Sequence, residues 1–455
     1  MPSRPGSLLP LYLAVFVAVL GFSLIAPFFP QFVMGLGASY SWLGIIVSVY
    51  GAVQLLTQIP MGRLSDRTGR RKIMLFGLAS FAFMPLLYIW ADSTSSLLLI
   101  RALGGLGASA VWPIAMALIV DQADSAGRGE AMGWYNASFF SALALGPWMG
   151  GVLYDWFGQN APFLLWAILG AASFLVVLFR VAEPEKIKLK IGEVPARREG
   201  ALISPGYMVT FLSCSSVVLW SGIVGGFNFT MLPGYAAGLG LKAADIGMIY
   251  LAYGSSTALF NIYFGRQADR GGRKRLIFIG CLAGAAGFAL LPLVGGLVQA
   301  AFLFSLLGMG LGMAGPAAAA LIADTTSPSR RGEVYGIFNT ARMAGVVIGP
   351  LIAGFTADMH GINGAVYAFI VLAAAITLAS LAIKEADLEV RSRYVTAVGG
   401  LFLILFGVFS PLSALISVIP ASVIGATGLV VFAIVGTMGI DMLRKVDLRG
   451  HAAMY

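Results

Sequence analysis

The stretch Gly62-Arg63-Leu64-Ser65-Asp66-Arg67-Thr68-Gly69-Arg70-Arg71-Lys72 returns as Gly265-Arg266-Gln267-Ala268-Asp269-Arg270-Gly271-Gly272-Arg273-Lys274-Arg275, a shift of 203 residues. The same shift carries Pro30 onto Pro233, Tyr50 onto Tyr253, Pro113 onto Pro316 and Asp121 onto Asp324. It also lays Gly129, Glu130, Asn136, Gly146 and Pro147 on Gly332, Glu333, Asn339, Gly349 and Pro350. One register through most of each half marks a duplication. In a strongly apolar chain, a parallel repeat is the pattern of a transporter made of two membrane bundles with a substrate site between them.

The composition agrees. The 455 residues are 59% hydrophobic and 11% charged, with mean hydropathy +0.89, whereas a soluble domain carries about 45–50% apolar and about 25% charged residues. Apolar stretches fall near 8–34, 41–61, 73–91, 96–120, 131–153 and 161–180, and again near 207–232, 243–264, 276–293, 298–323, 334–357 and 364–383. Each is long enough to cross a hydrocarbon core of ~30 Å as a helix. Two more follow at 396–418 and 421–441. The expected fold is therefore an all-α polytopic membrane protein of two pseudo-symmetric six-helix bundles plus two C-terminal transmembrane helices. Its parts are a first bundle at 1–181, a linker at 182–206, a second bundle at 207–384 and a two-helix appendage with tail at 385–455.

Of the 29 Lys and Arg residues, 26 fall in alternate loops and tails on one side, and only Lys242 falls in a loop on the other. Basic loops stay in the cytoplasm, so both termini, the repeated basic loops and the linker are expected there, in the cell membrane. That asymmetry accounts for the net charge of +9 and removes the need for a nucleic-acid partner. The first apolar segment is too long for a signal-peptide core and reads as a retained anchor. Cys214 and Cys281 lie inside spans without metal-ligand spacing and read as small packing residues. His360 and His451 form no HExxH, and no GxSxG occurs, so the chain is not expected to be an enzyme or to hold a metal or cofactor.

The double Gly-x-x-x-Asp-Arg-x-Gly-Arg motif, each copy after the second span of a half, resembles the signature of the major facilitator superfamily. Three further features resemble its drug:proton antiporter branch: Arg101-Ala-Leu-Gly-Gly-Leu-Gly-Ala in the fourth span, Gly146-Pro147-Trp-Met-Gly-Gly in the fifth, and Asp121 at the inner end of the fourth. The resemblance covers residues 8–384 and implies alternating access around one central site. It also implies a latch between the halves on the cytoplasmic side, formed by Gly62, Asp66, Arg67, Gly69 and Arg70 with Asp121. Asp269, Arg273 and Asp324 would repeat that latch. A plain solvated basic turn is the competing reading. Glycines at 62 and 69 are expected to allow a tight turn. The Gly146-Pro147 kink is an exporter mark in the family, but Gly349-Pro350 stands at the matching place, so shared architecture explains it equally.

Positions that break the repeat are better substrate candidates. Arg101 matches Phe304, and Arg342 matches Phe139. These arginines are the only acids or bases well inside the spans. An Arg keeps its proton, and a charge at the bilayer centre costs roughly 2.5–3.5 kcal/mol even on lenient scales. Each therefore needs water, carbonyls, an aromatic face or an anionic substrate. Arg342 lies nine residues beyond Glu333, ~14 Å along a helix, at the depth of a substrate site, and shares a face with Asn339. Asn136, Asn228, Tyr250, Tyr253 and Gln54 are further cavity candidates. Pro27, Pro30 and Gly225-Gly226 are expected to mark bends.

The family role of the Arg101 position is proton coupling, yet no carboxylate or histidine occurs inside the spans. Proton-coupled export of a small organic solute is the leading expectation. The alternatives are an organic anion importer, exchanger or uniporter using Arg342, and a non-transporting sensor or assembly factor on the same scaffold. The expected partners are a small-molecule substrate, protons and the lipid bilayer. A monomer is expected, with the C-terminal helix pair as a packing or oligomerisation element.

Overall fold

The computed structural model describes residues 8–123, 127–183, 203, 206–268, 271–326 and 330–384, which belong to one compact unit. Asp269, most of the linker and the C-terminal helix pair lie outside the described residues. The first half comprises α1 (Leu9–Ser23), α2 (Phe29–Gly35), α3 (Tyr40–Thr68), α4 (Arg70–Ile89), α5 (Thr94–Ser109), α6 (Trp112–Gln122), α7 (Arg128–Phe157) and α8 (Asn160–Arg180). The second comprises α9 (Met208–Thr230), α10 (Leu232–Gly238), α11 (Ala243–Ala268), α12 (Arg273–Leu290), α13 (Leu297–Thr325) and α14 (Arg331–Ser380). Nine helices among these residues are long and apolar enough to cross a membrane.

Prolines place most of the breaks. The first span divides into α1 and α2, with Pro30 in the first turn of α2. The fourth divides into α5 and α6, with Pro113 in the first turn of α6, where one continuous helix was expected. A proline in the first turn loses no intrahelical hydrogen bond, so it starts a helix well and continues one badly. The seventh span breaks at Met231, just before Pro233, and not at Gly225-Gly226 as expected. Gly226 serves close packing, since a Cβ there would stand 2.8 Å from the Pro350 nitrogen. α14 carries two spans in one run, turned at Gly361, whose φ of 72° and ψ of 177° are non-helical.

The basic motif also differs from expectation. Gly62 lies inside α3, and a Cβ on it would meet nothing within 4 Å. The turn is made by Gly69 alone, at φ 114°. A side chain is strained there, so glycine suits the site.

Packing divides the molecule by height. One end carries the two basic motifs and is termed the basic end. The other carries Asp92, Asp155, Asp245 and Asp358 and is termed the acidic end. At the acidic end a single apolar core runs through both halves, joining Phe28, Phe29 and Phe163 to Phe227, Phe288 and Phe369. Towards the basic end each half has its own core, one around Leu78, Phe81 and Leu118, the other around Ile277, Met313 and Leu321. Among the described residues, the apolar core is thus shared by the bundles at one end and divided between them at the other.

Backbone contacts seal the fused end, and they obey the repeat. A Cβ on Gly247 of α11 would stand 2.6 Å from the Pro147 carbonyl oxygen of α7, and one on Gly44 of α3 would strike the Pro350 carbonyl of α14. Ser48 Oγ donates to the Val347 carbonyl at 2.6 Å, and Gln31 Nε2 to the Pro233 carbonyl at 3.0 Å. Helices this close require small residues at the contact.

Candidate functional site

Arg101 stands in α5 with only 2% of its surface exposed. Its guanidinium carbon lies 4.6 Å from the Phe29 ring centroid, 4.9 Å from Tyr50 and 5.2 Å from Phe229. Phe29 and Tyr50 belong to the first bundle and Phe229 to the second. Nε and Nη1 of Arg101 have no hydrogen-bond partner. Aromatic faces and a hydrogen bond to the Tyr88 hydroxyl are the visible compensation for this charge. An aromatic wall stands behind them, where Tyr88 stacks on Phe163 at 5.1 Å and on Trp166 at 6.0 Å.

Arg342 occupies a different setting. It lies on α14 below the fused core, with an exposed side. Its Nε and Nη2 donate to Asn339 Oδ1 at 3.3 and 3.2 Å, which fits residues three apart on one helix face. It interacts electrostatically with Tyr135 on α7 of the opposite bundle. Asn339 and Asn136, matched by the repeat, are both exposed. Arg342 and Asn339 thus form a cation and amide pair, within electrostatic reach of Tyr135 on the other bundle.

The remaining cavity candidates are placed differently. Asn228 and Tyr250 are buried in the shared core, where the Tyr250 hydroxyl donates to the Asn228 carbonyl at 2.5 Å. The Asn228 side-chain amide is buried without a partner. Tyr253 and Gln54 are half-buried. Gly146 packs on Ser23 and Leu20 of the first span, and Gly349 on Ile223 of α9, so both Gly-Pro pairs serve close approach within their own bundle as well as across the seam.

At the basic end, Arg70 Nε lies 3.0 Å from Asp121 and Nη2 3.5 Å from Asp66. All three belong to the first bundle. Arg67 is exposed. In the second bundle Arg273 pairs with Asp324 and donates to the Ala320 carbonyl at 3.2 Å. Glu183, at the start of the linker, accepts from the backbone N–H groups of Arg70 and Arg71 at 2.7 and 3.1 Å. It supplies the carboxylate that a helix N-terminus favours. Sequence reasoning missed this cap, the aromatic cage and Tyr135. Tyr135 breaks the repeat against Phe338, the same signal that singled out the two arginines. Among the described residues no cluster of acids, Cys and His is fit to hold a metal.

Two repeat-related helical bundles sharing an apolar core at one end, with Arg101 buried in it and Arg342 where the cores divide, fit a polytopic membrane transporter. The sequence profile described as Major Facilitator Superfamily matches residues 11–230 and 214–440, and the chain belongs to that superfamily. It is 28% identical to the inner membrane transport protein YajR of Escherichia coli, over 81% of each chain. It is 26% identical to the quinolone resistance protein NorA of Staphylococcus aureus, over 84% of this chain and 97% of that one. Among solved structures, it is similar to a bacterial homolog of the human lysosomal transporter Spinster in an inward-facing and occupied conformation. That likeness, TM-score 0.71 at 17% identity over 84% of this chain and 97% of the other, concerns the fold. The chain is a multi-pass membrane transporter and not an enzyme.

Proposed function

We propose that this chain exports a small organic solute by alternating access, taking it up from the cytoplasm at the basic end and releasing it at the acidic end. The observation that carries this reading is the division of the core, continuous across the bundles at the acidic end and split in two at the basic end. A protein that needed only one shape gains nothing from leaving one end unjoined, whereas a carrier must expose its site to one side at a time. Placing the basic end in the cytoplasm follows from the loop charges. The export direction is drawn from the resistance proteins among its relatives, NorA and the multidrug resistance protein MdtG of Proteus mirabilis, and from the Gly146-Pro147 resemblance. Protons are the counter-substrate in this reading, on the likeness of the fourth and fifth spans to the drug:proton antiporter branch.

A second reading rests on charge. Arg101 and Arg342 give the interior two fixed cations, and the described spans place no acid beside either. A site of this sign favours a carboxylate or another acceptor group and disfavours a cation. In that reading the solute is an organic anion held by Arg342, Asn339 and Tyr135, moved by import, exchange or uniport. The two readings part in cells that accumulate a fluorescent substrate. Export predicts lower accumulation when the chain is expressed, abolished by a protonophore. Unchanged or raised accumulation contradicts export.

A further inference from the structure

The acidic end is fastened by two carboxylates that reach across the seam. Asp358, on α14 of the second bundle, accepts from the backbone N–H groups of Tyr40 and Ser41 at 2.8 and 2.9 Å, at the first turn of α3 in the first bundle. Asp155, on α7 of the first bundle, accepts from those of Ala243 and Ala244 at 3.3 and 2.8 Å, at the first turn of α11 in the second. The repeat shift of 203 carries Asp155 onto Asp358, Tyr40 onto Ala243 and Ser41 onto Ala244. The same device therefore occurs twice, once on each side of the pseudo-twofold axis.

The chemistry of the cap supplies its direction. The first N–H groups of a helix have no intrahelical acceptor and carry the positive end of its dipole. Each bundle can satisfy part of this need alone: Ser39 Oγ accepts from Trp42 N at 3.3 Å, and Asp245 accepts from Lys242 N at 3.0 Å. Two further N–H groups at the start of each helix, Tyr40 and Ser41 of α3 and Ala243 and Ala244 of α11, are met by a carboxylate from the other bundle. All four bonds cross the seam, so parting the bundles there would break both pairs at once. Because the groups are near the surface, water takes over as they separate. The link thus biases the equilibrium without locking it.

We propose that Asp155 and Asp358 are a matched pair of closure latches. By capping α11 and α3 across the seam, they set the balance between the form closed at the acidic end and the form open there. The residues at the basic motif play no part in this device. The proposal rests on the alternating-access reading, and the test below separates the two.

The test uses the full chain in lipid nanodiscs, with Cys214 and Cys281 replaced by alanine and spin labels on introduced cysteines. One labelled pair is Trp90→Cys with Leu293→Cys at the acidic end, where these residues are 73% and 72% exposed. The other is Leu64→Cys with Gln267→Cys at the basic end, also exposed. Asp155→Asn and Asp358→Asn should each raise the open-to-closed ratio at the acidic end about two- to fivefold, as expected for a charge at a helix terminus. The double variant should raise it by about the product of the two. The basic-end pair should shorten in step, which a merely loosened protein would not do. Asp92→Asn, a change of charge at the same end, should move neither pair. A double variant with wild-type distances at both ends, while the wild type itself populates two distances, overturns the latches and leaves alternating access standing. A wild type and variants sharing one fixed distance at each end overturn both.

Discussion

The guanidinium of Arg101 and the ring of Phe229 meet 5.2 Å apart, so the buried cation of the first bundle is covered on one side by the second. Separation of the bundles at the acidic end would remove that cover. Arg101 is thereby sealed in the form closed at this end and uncovered in the other.

Because Arg101 is buried with Nε and Nη1 unpartnered, it is a poor contributor to stability. Replacing a buried charge with an apolar side chain of similar volume is neutral or stabilising by about 1–4 kcal/mol. Arg101→Met should therefore keep or raise the melting temperature in detergent while transport falls at least tenfold. A variant that melts lower and still transports contradicts this account of the residue.

Substituting Gly247 should act on the closed end. A Cβ there would sit 2.6 Å from the Pro147 carbonyl oxygen, and overpacking of this kind costs about 1–3 kcal/mol. Gly247→Val is expected to increase thiol labelling of a cysteine introduced at Ser48, whose hydroxyl bonds across the neighbouring seam. Unchanged labelling would mean that the α7 and α11 contact is not part of the closure.

Asp66 and Arg70 separate a conformational role from a stabilising one. Asp66 is 55% exposed and 3.5 Å from Arg70, so Asp66→Asn should cost no more than ~1 kcal/mol. If the pair belongs to a latch, the turnover number should drop severalfold with substrate affinity nearly unchanged. A loss of affinity without loss of turnover would relocate its effect to the binding site.

The repeat and the long apolar helices were legible because the bilayer demands long apolar runs and the duplication preserves register. Bends were partly legible. Pro30 and Pro113 start helices for a local reason, but Gly226 was misread because its purpose, contact with Pro350, is tertiary. Gly62 was misread for the related reason that α3 runs on to Thr68 through a polar stretch, extending beyond its apolar span. The two interior arginines stood out as breaks in the repeat. Their surroundings did not, since Phe29, Tyr50 and Phe229 come from three separate helical segments, and Tyr135, which interacts electrostatically with Arg342, belongs to the opposite bundle.

Transport of anions should depend on Arg342 in proportion to its hydrogen bonds. Arg342→Lys keeps the charge but loses the planar fork, so KM for a carboxylate substrate should rise roughly tenfold, as for loss of one charged hydrogen bond. Equal KM in the two proteins would place Arg342 outside the binding surface.

In the proposed function, the parted end opens onto a site for a small organic solute moved against protons. Proteoliposomes loaded with a pH dye test it directly, with cationic drugs and organic anions offered to the wild type and to Arg342→Ala. Proton movement is expected on addition of a transported solute. Anion transport without any proton signal, lost in Arg342→Ala, would contradict proton antiport and establish that arginine as the counter-charge of an anionic substrate.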